Sequence, residues 1–146
     1  MGQERGQTLL EFAFVAPVLL VFVLALVDFG IAIDRRLVLD HAVREGARFA
    51  SVGGNALDGD PADVAAVKAY TAGHSQGIAD AGAPEGTNGA VNVCADGDGV
   101  NVSIEYTHDF VTGFTSIFDL SIGNIVMNPK AAARIEQPLE GTVDPC

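Results

Sequence analysis

Apolar and polar positions follow three rhythms along this chain, and each predicts a different element. Residues 12–27 read FAFVAPVLLVFVLALV, an uncharged run, and after Asp28 the apolar character resumes as FGIAI as far as Ile33. From there to Val52 it thins to a stripe at Leu39, Val43, Gly46 and Ala50, the i, i+4, i+7, i+11 spacing of one helical face. Opposite charges at helical spacing accompany the stripe: Arg36/Asp40, Asp40/Arg44 and Glu45/Arg48. No strong breaker intervenes before Gly53 and Gly54. One helix is therefore expected from about Gln7 to Val52, apolar all round in its first half and amphipathic in its second. Pro17 is expected to bend the first half or melt it locally.

Residues 53–59 read as a loop. Asp60-Pro61-Ala62-Asp63 then has the form of a helix start, with Asp60 as N-cap and Pro61 at the first helical position. Val64, Val67, Thr71, His74 and Ile78 continue a helical stripe, which Gly77 and the AGAPEGTNG run at residues 81–89 end. The period next becomes two. Val91 and Val93 share a face over residues 90–95. Over residues 99–107, Val100, Val102, Ile104 and Tyr106 face one way, while Asn101, Ser103, Glu105 and Thr107 face the other. Asp96-Gly97-Asp98-Gly99 joins the two runs as a hairpin turn. Residues 124–136 read as a third strand, with Ile125, Met127, Ala131, Ala133 and Ile135 on one side and Pro129 marking an edge position or a bulge.

The fold class that follows is α+β: a long N-terminal helix, a small antiparallel sheet packed on it, and one short helix. The connection at residues 108–123 is too apolar for a solvated loop. Either it closes over the sheet as core, or it is an exposed contact surface, and then Phe110, Phe114, Ile117 and Phe118 are the candidate partner site.

Length decides what the apolar run can be. A chain of 146 residues supports one compact domain plus a segment or two. A bilayer-spanning helix needs about 20 mostly apolar residues, so residues 12–33 suffice if Asp28 is tolerated. A buried helix of a soluble domain is the bland alternative, but so small a remainder could not enclose a helix apolar on every side. A secretory signal peptide has an apolar core of about 7–15 residues followed by a small-residue cleavage site. This core is longer, and no such site follows it closely. The run is expected to stay as a single span, with Asp28 at the outer interface and its polar end snorkelling out. Arg5 precedes it and Arg35 and Arg36 follow it, so charge leaves the orientation open.

The formal net charge is -11, and nearly all of it lies beyond residue 52. Residues 53–146 form an acidic, Gly-rich module that should be soluble by itself. No basic face is available for phosphates, which argues against nucleic acid, and the acidity argues against tight contact with anionic lipid heads.

The stretch Gly6-Gln7-Thr8-Leu9-Leu10-Glu11-Phe12 resembles a type IV prepilin processing site: a short polar leader, a Gly, four residues, a Glu, then a long apolar helix. Glu followed by an aromatic resembles the Flp and Tad branch. With GQTLLEFAFVAPVLL, VDFGIAI and the AVREGARFASV of residues 42–52, the chain resembles the TadE-like family of pseudopilins from tight-adherence pilus systems. The resemblance covers about the first third. It implies a pilin-like fold, a leader at residues 1–6, and cleavage between Gly6 and Gln7 by a prepilin peptidase at the cytoplasmic face. It also implies that residues 53–146 lie outside the cytoplasmic membrane.

In such assemblies the Glu corresponding to Glu11 neutralises the new α-amino group of a neighbouring subunit. Glu11 lies about one turn beyond Gln7, and a buried carboxylate needs such a partner. The alternative is that Glu11 sits at the lipid head-group level. The REGAR charges are either a partner site or a solvated face. In an exported module, Cys94 and Cys146 form an even pair and read as a disulfide that ties the C-terminal tail to the first strand.

Other chemistry finds little footing. Asp96, Asp98 and Asn101 resemble part of a calcium loop, but the twelfth position is Thr107 rather than an acidic ligand, and the hairpin turn accounts for them. His41, His74 and His108 have no metal spacing, and neither a P-loop nor a nucleophile elbow occurs. No enzyme activity, cofactor, metal or small-molecule substrate is expected. The reading is a structural minor pilin or pseudopilin of a Tad pilus, serving assembly and surface adhesion. Its expected partners are the prepilin peptidase, other pilin-like subunits, the assembly platform and the cytoplasmic membrane. The alternative is a single-span anchored binding module that never polymerises.

Overall fold

The computed structural model describes residues 4–52, 61–96, 99–111 and 124–134. Six elements follow in order: α1 (Glu4–Val52), α2 (Pro61–Gly73), β1 (Ala90–Asp96), β2 (Gly99–His108), β3 (Ile125–Met127) and β4 (Lys130–Arg134). This is the expected α+β plan of one long helix, one short helix and a small antiparallel sheet. The loop at residues 53–59, the Asp60 cap, turn positions 97–98 and Ile135 lie outside the described residues.

Helix α1 continues through Pro17, so the first half is not melted there. Proline withholds one N–H from the Ala13 carbonyl, but every other bond of the ladder can still form. The flanking Leu, Ala and Val run has no competing polar group to draw the backbone out of the helix.

The residues divide into two units, one within Met1–Ile33 and Asp109–Asn124, the other within Asp34–His108 and Ile125–Cys146. In the second unit the amphipathic half of α1 behaves as its spacing predicts. Leu39, Val43, Gly46 and Ala50 are all buried, together with Ala42 and Ala47 between them. Of the three charge pairs, Glu45/Arg48 closes, at 3.8 Å and near the surface. The small residues let α2 come close: a Cβ on Gly46 would lie 3.1 Å from Cβ of Thr71 and overlap its hydroxyl oxygen. That hydroxyl is turned back onto the Val67 carbonyl at 2.7 Å, and Val67 and Thr71 are both fully buried. One turn further along α1, Phe49 stacks on Tyr70 with ring centroids 4.3 Å apart.

Helix α2 ends at Gly73, earlier than the stripe through His74 and Ile78 implied. His74 is exposed and Ile78 only partly buried. Ser75 causes the stop: its hydroxyl donates to the Ala72 carbonyl at 2.7 Å and accepts the Ala79 N–H at 2.9 Å. Those bonds offer the backbone an alternative to the helical ladder. Gln76 and Gly77 then take positive φ, which no right-handed helix can continue.

The sheet is built around β2. Strand β1 pairs with it antiparallel from Ala90↔Glu105 to Asp96↔Gly99, and β3 and β4 pair along its other edge. The predicted alternation holds: Val91, Val93, Val100, Val102, Ile104 and Tyr106 are buried on one face. At about 1.5–3 kcal/mol per fully buried aliphatic side chain, this face is a main source of stability for the unit.

The single strand expected over residues 124–136 is instead two short ones. Tyr106↔Met127 and Ser103↔Lys130 keep one register, so no residue is inserted and there is no bulge. The break falls at Pro129, which has no N–H to give. Its carbonyl still accepts the Ile104 N–H at 3.1 Å, so the edge keeps its alignment while losing a rung. Ahead of β1, the Asn88 side chain accepts the Thr107 N–H at 2.7 Å and donates to the Thr107 carbonyl at 3.0 Å, extending the pairing of β2 without a backbone partner. Gly89 donates its own N–H to Glu105 in a left-handed conformation (φ 86°) that disfavours a side chain.

Candidate functional site

The first half of α1 carries the chemistry expected of an assembly or membrane element. Gly6 lies in the opening turns of the helix, Gln7 is exposed, and Glu11 is exposed about 6 Å further along the axis. Glu11 makes no ion pair among the described residues. Around and after it the surface is apolar on all sides, with Leu9, Phe12, Phe14, Val18, Leu19 and Phe22 more than half exposed. Soluble proteins do not leave a patch of this extent in water. By length and composition the helix can cross a membrane, and none of its apolar window is buried within the chain.

Asp28 departs from the sequence expectation. It does not snorkel out: it is fully buried, and its Oδ1 accepts the backbone N–H of Val111 at 3.0 Å. Both residues belong to the first unit. A short carboxylate cannot reach far along a helix, so the chain brings a donor to it. Of the candidate partner surface, Phe110 is half-buried and the adjacent Val111 is 62% exposed. Phe114, Ile117 and Phe118 lie outside the described residues.

In the second unit, the turn of α1 after the apolar run holds a cluster that sequence reasoning missed. Arg35 donates through Nη1 to the Tyr106 hydroxyl, and its Cζ stands 5.8 Å from the Tyr106 ring centroid. The same Nη1 lies 3.4 Å from His108 Nδ1. Arginine has no acceptor, so that contact is a hydrogen bond only with Nδ1 unprotonated. Tyr106 is buried and His108 fully so. The available signal was the i, i+2 spacing of Tyr106 and His108 on one face of β2. Nothing in that spacing names Arg35 as their partner.

Cys94 sits half-buried on β1 opposite Asn101, and Cys146 lies outside the described residues. Among the described residues, no three His, Cys, Asp or Glu side chains come together as a metal site. His41 and His74 are exposed and His108 is buried, so the three histidines do not share an environment.

Comparison with protein families identifies one stretch of the chain. The model of the family described as TadE-like protein matches from Gly6 to Arg48. Residues 6–48 are similar to the TadE-like family. The match takes in Gly6, Glu11, Pro17, Asp28 and Arg35, and it stops before α2 and the sheet. No curated protein and no solved structure matches the chain. A TadE-like segment points to a protein associated with a Tad pilus system, carrying an N-terminal apolar helix. An exposed apolar surface of this size needs lipid or other helices around it.

Proposed function

We propose that this protein is a structural, non-catalytic minor pilin or pseudopilin of a Tad pilus. A prepilin peptidase cuts between Gly6 and Gln7. The chain waits in the cytoplasmic membrane through residues 12–33, with residues 53–146 outside the cytoplasm. It is then handed by the assembly platform to a filament of pilin-like subunits that mediates surface attachment. The observation that carries this reading is the coincidence of three features within residues 6–48: the Gly-x-x-x-x-Glu start, the TadE-like match, and an apolar helix surface left uncovered by the rest of the chain. Leaving lipid is feasible only if neighbouring helices bury the same surface again. Glu11 is exposed on that surface, and in an apolar bundle it needs a cation. The α-amino group that cleavage creates on Gln7 of an adjacent subunit supplies one.

The test is the N-terminus of the protein in its native membrane fraction, read by intact mass and terminal peptide sequencing, with Gly6→Ala alongside. A chain beginning at Gln7, with processing blocked by the substitution, is the expected result. Persistence of residues 1–6 in the native protein would overturn the processing, and would favour an anchored binding module instead.

A further inference from the structure

We propose that the segment Asp109–Val111 is a second membrane contact, seated among lipid acyl chains beside the Asp28 turn of α1. The proposal rests on reading residues 12–33 as a span. Asp28 lies five residues before Ile33, which puts it about 7–8 Å inside the end of that span at 1.5 Å per residue. A carboxylate at this depth is costly, and so is a backbone N–H outside regular structure. The two costly groups satisfy each other: Asp28 Oδ1 accepts the Val111 N–H at 3.0 Å, and Asp28 is withdrawn from the surface altogether. Water can meet both needs in an aqueous setting, and in a bilayer interior this pairing takes its place.

The surroundings agree. On the turns either side of Asp28, Leu26, Phe29 and Ile33 remain 45–59% exposed, and Val111 itself is 62% exposed, so the pinned segment adds apolar surface to a region already apolar. Asp109 is exposed two residues away. An extended chain covers about 3.3–3.6 Å per residue, so its charge can reach roughly 7 Å toward the head groups while Val111 stays below. Lipid is the occupant this pattern fits, because the segment continues the same apolar surface that the span presents to the bilayer.

The chain has no tryptophan, so each tryptophan variant carries a single reporter. Val111→Trp, Asp109→Trp and Phe14→Trp, each in the full chain, are reconstituted into phosphatidylcholine vesicles containing lipid brominated along its acyl chains. Val111→Trp is expected to emit at shorter wavelength than Asp109→Trp. It is also expected to be quenched by the brominated lipid and several-fold less by aqueous acrylamide than Asp109→Trp. Phe14→Trp reports the span. If Phe14→Trp is quenched by lipid while Val111→Trp is as open to acrylamide as Asp109→Trp, the second contact is overturned and the span stands. If Val111→Trp is shielded from acrylamide yet untouched by brominated lipid, a protein neighbour covers it and the proposal fails. If Phe14→Trp is not quenched by lipid, the span fails and the proposal with it.

Discussion

Arg35 on α1 and Tyr106 on β2 are 71 residues apart in sequence, and the guanidinium of one is hydrogen-bonded to the hydroxyl of the other. The bond ties the helix directly to the central strand of its unit, in a place where Tyr106 is nearly closed to water. Bonds to a charged group contribute more than neutral ones, because burial strengthens the attraction and a lost partner leaves a desolvated charge.

Tyr106→Phe should therefore lower the unfolding free energy by about 1.5–3 kcal/mol, measured by denaturant titration in detergent micelles. Arg35→Lys should restore little, since the lysine ammonium ends one bond short of the Nη1 position from which Tyr106 and His108 are both reached, and it has no guanidinium plane to set beside the Tyr106 ring. Combining Tyr106→Phe with Arg35→Ala should cost less than the two separate effects added, as shared partners do in a double-mutant cycle.

Gly46→Ala reverses the usual expectation. In an exposed helix interior this change stabilises by roughly 0.5–1 kcal/mol. Here the new methyl would overlap the Thr71 hydroxyl, so a loss of about 1–3 kcal/mol is expected. Adding Thr71→Ala should recover part of that loss. A thermal melt in which Gly46→Ala is neutral or stabilising would contradict the close helix approach.

Glu11→Ala should leave cleavage after Gly6 intact and reduce recovery in the sheared filament fraction. Each ~1.4 kcal/mol of lost charge pairing is a factor of ten, so a drop of roughly tenfold or more is expected. Immunoblots of sheared and membrane fractions make the comparison. Unchanged incorporation would mean that Glu11 has no charge-pairing role in the filament.

We propose a bond between Cys94 and Cys146, to be checked by alkylation. Neither cysteine should react with iodoacetamide in the folded, unreduced protein, and both should react after reduction and unfolding. Closing a loop of this length stabilises by up to about 4 kcal/mol in the chain-entropy picture, so reduction should lower the melting temperature by several degrees.

What was legible in the sequence is what depends on local period. The β2 face of Val100, Val102, Ile104 and Tyr106 and the α1 stripe of Leu39, Val43, Gly46 and Ala50 are buried as their spacing requires. The reading failed where one side chain redirects the backbone. His74 and Ile78 kept helical spacing, but the Ser75 hydroxyl had already diverted the chain. Pro129 was visible, yet its consequence, a strand split without loss of register, depends on what β2 offers opposite it. At the N-terminal end, Gly6, Gln7 and Glu11 lie within one short motif, inside the stretch that the TadE-like family model matches. The site was not legible at Asp28 or Arg35. Their partners, Val111 and Tyr106, are distant in sequence, and no periodicity encodes a polar contact between elements.

Asn88 is followed by Gly89, the dipeptide in which an asparagine side chain most readily closes onto the next backbone nitrogen and ages to aspartate. Here the side chain is held at both of its polar atoms by Thr107, and the Gly89 nitrogen is occupied by its bond to Glu105. Ring closure would first have to break three bonds. The same contacts that lengthen the sheet also slow the chemical ageing of the chain at this position.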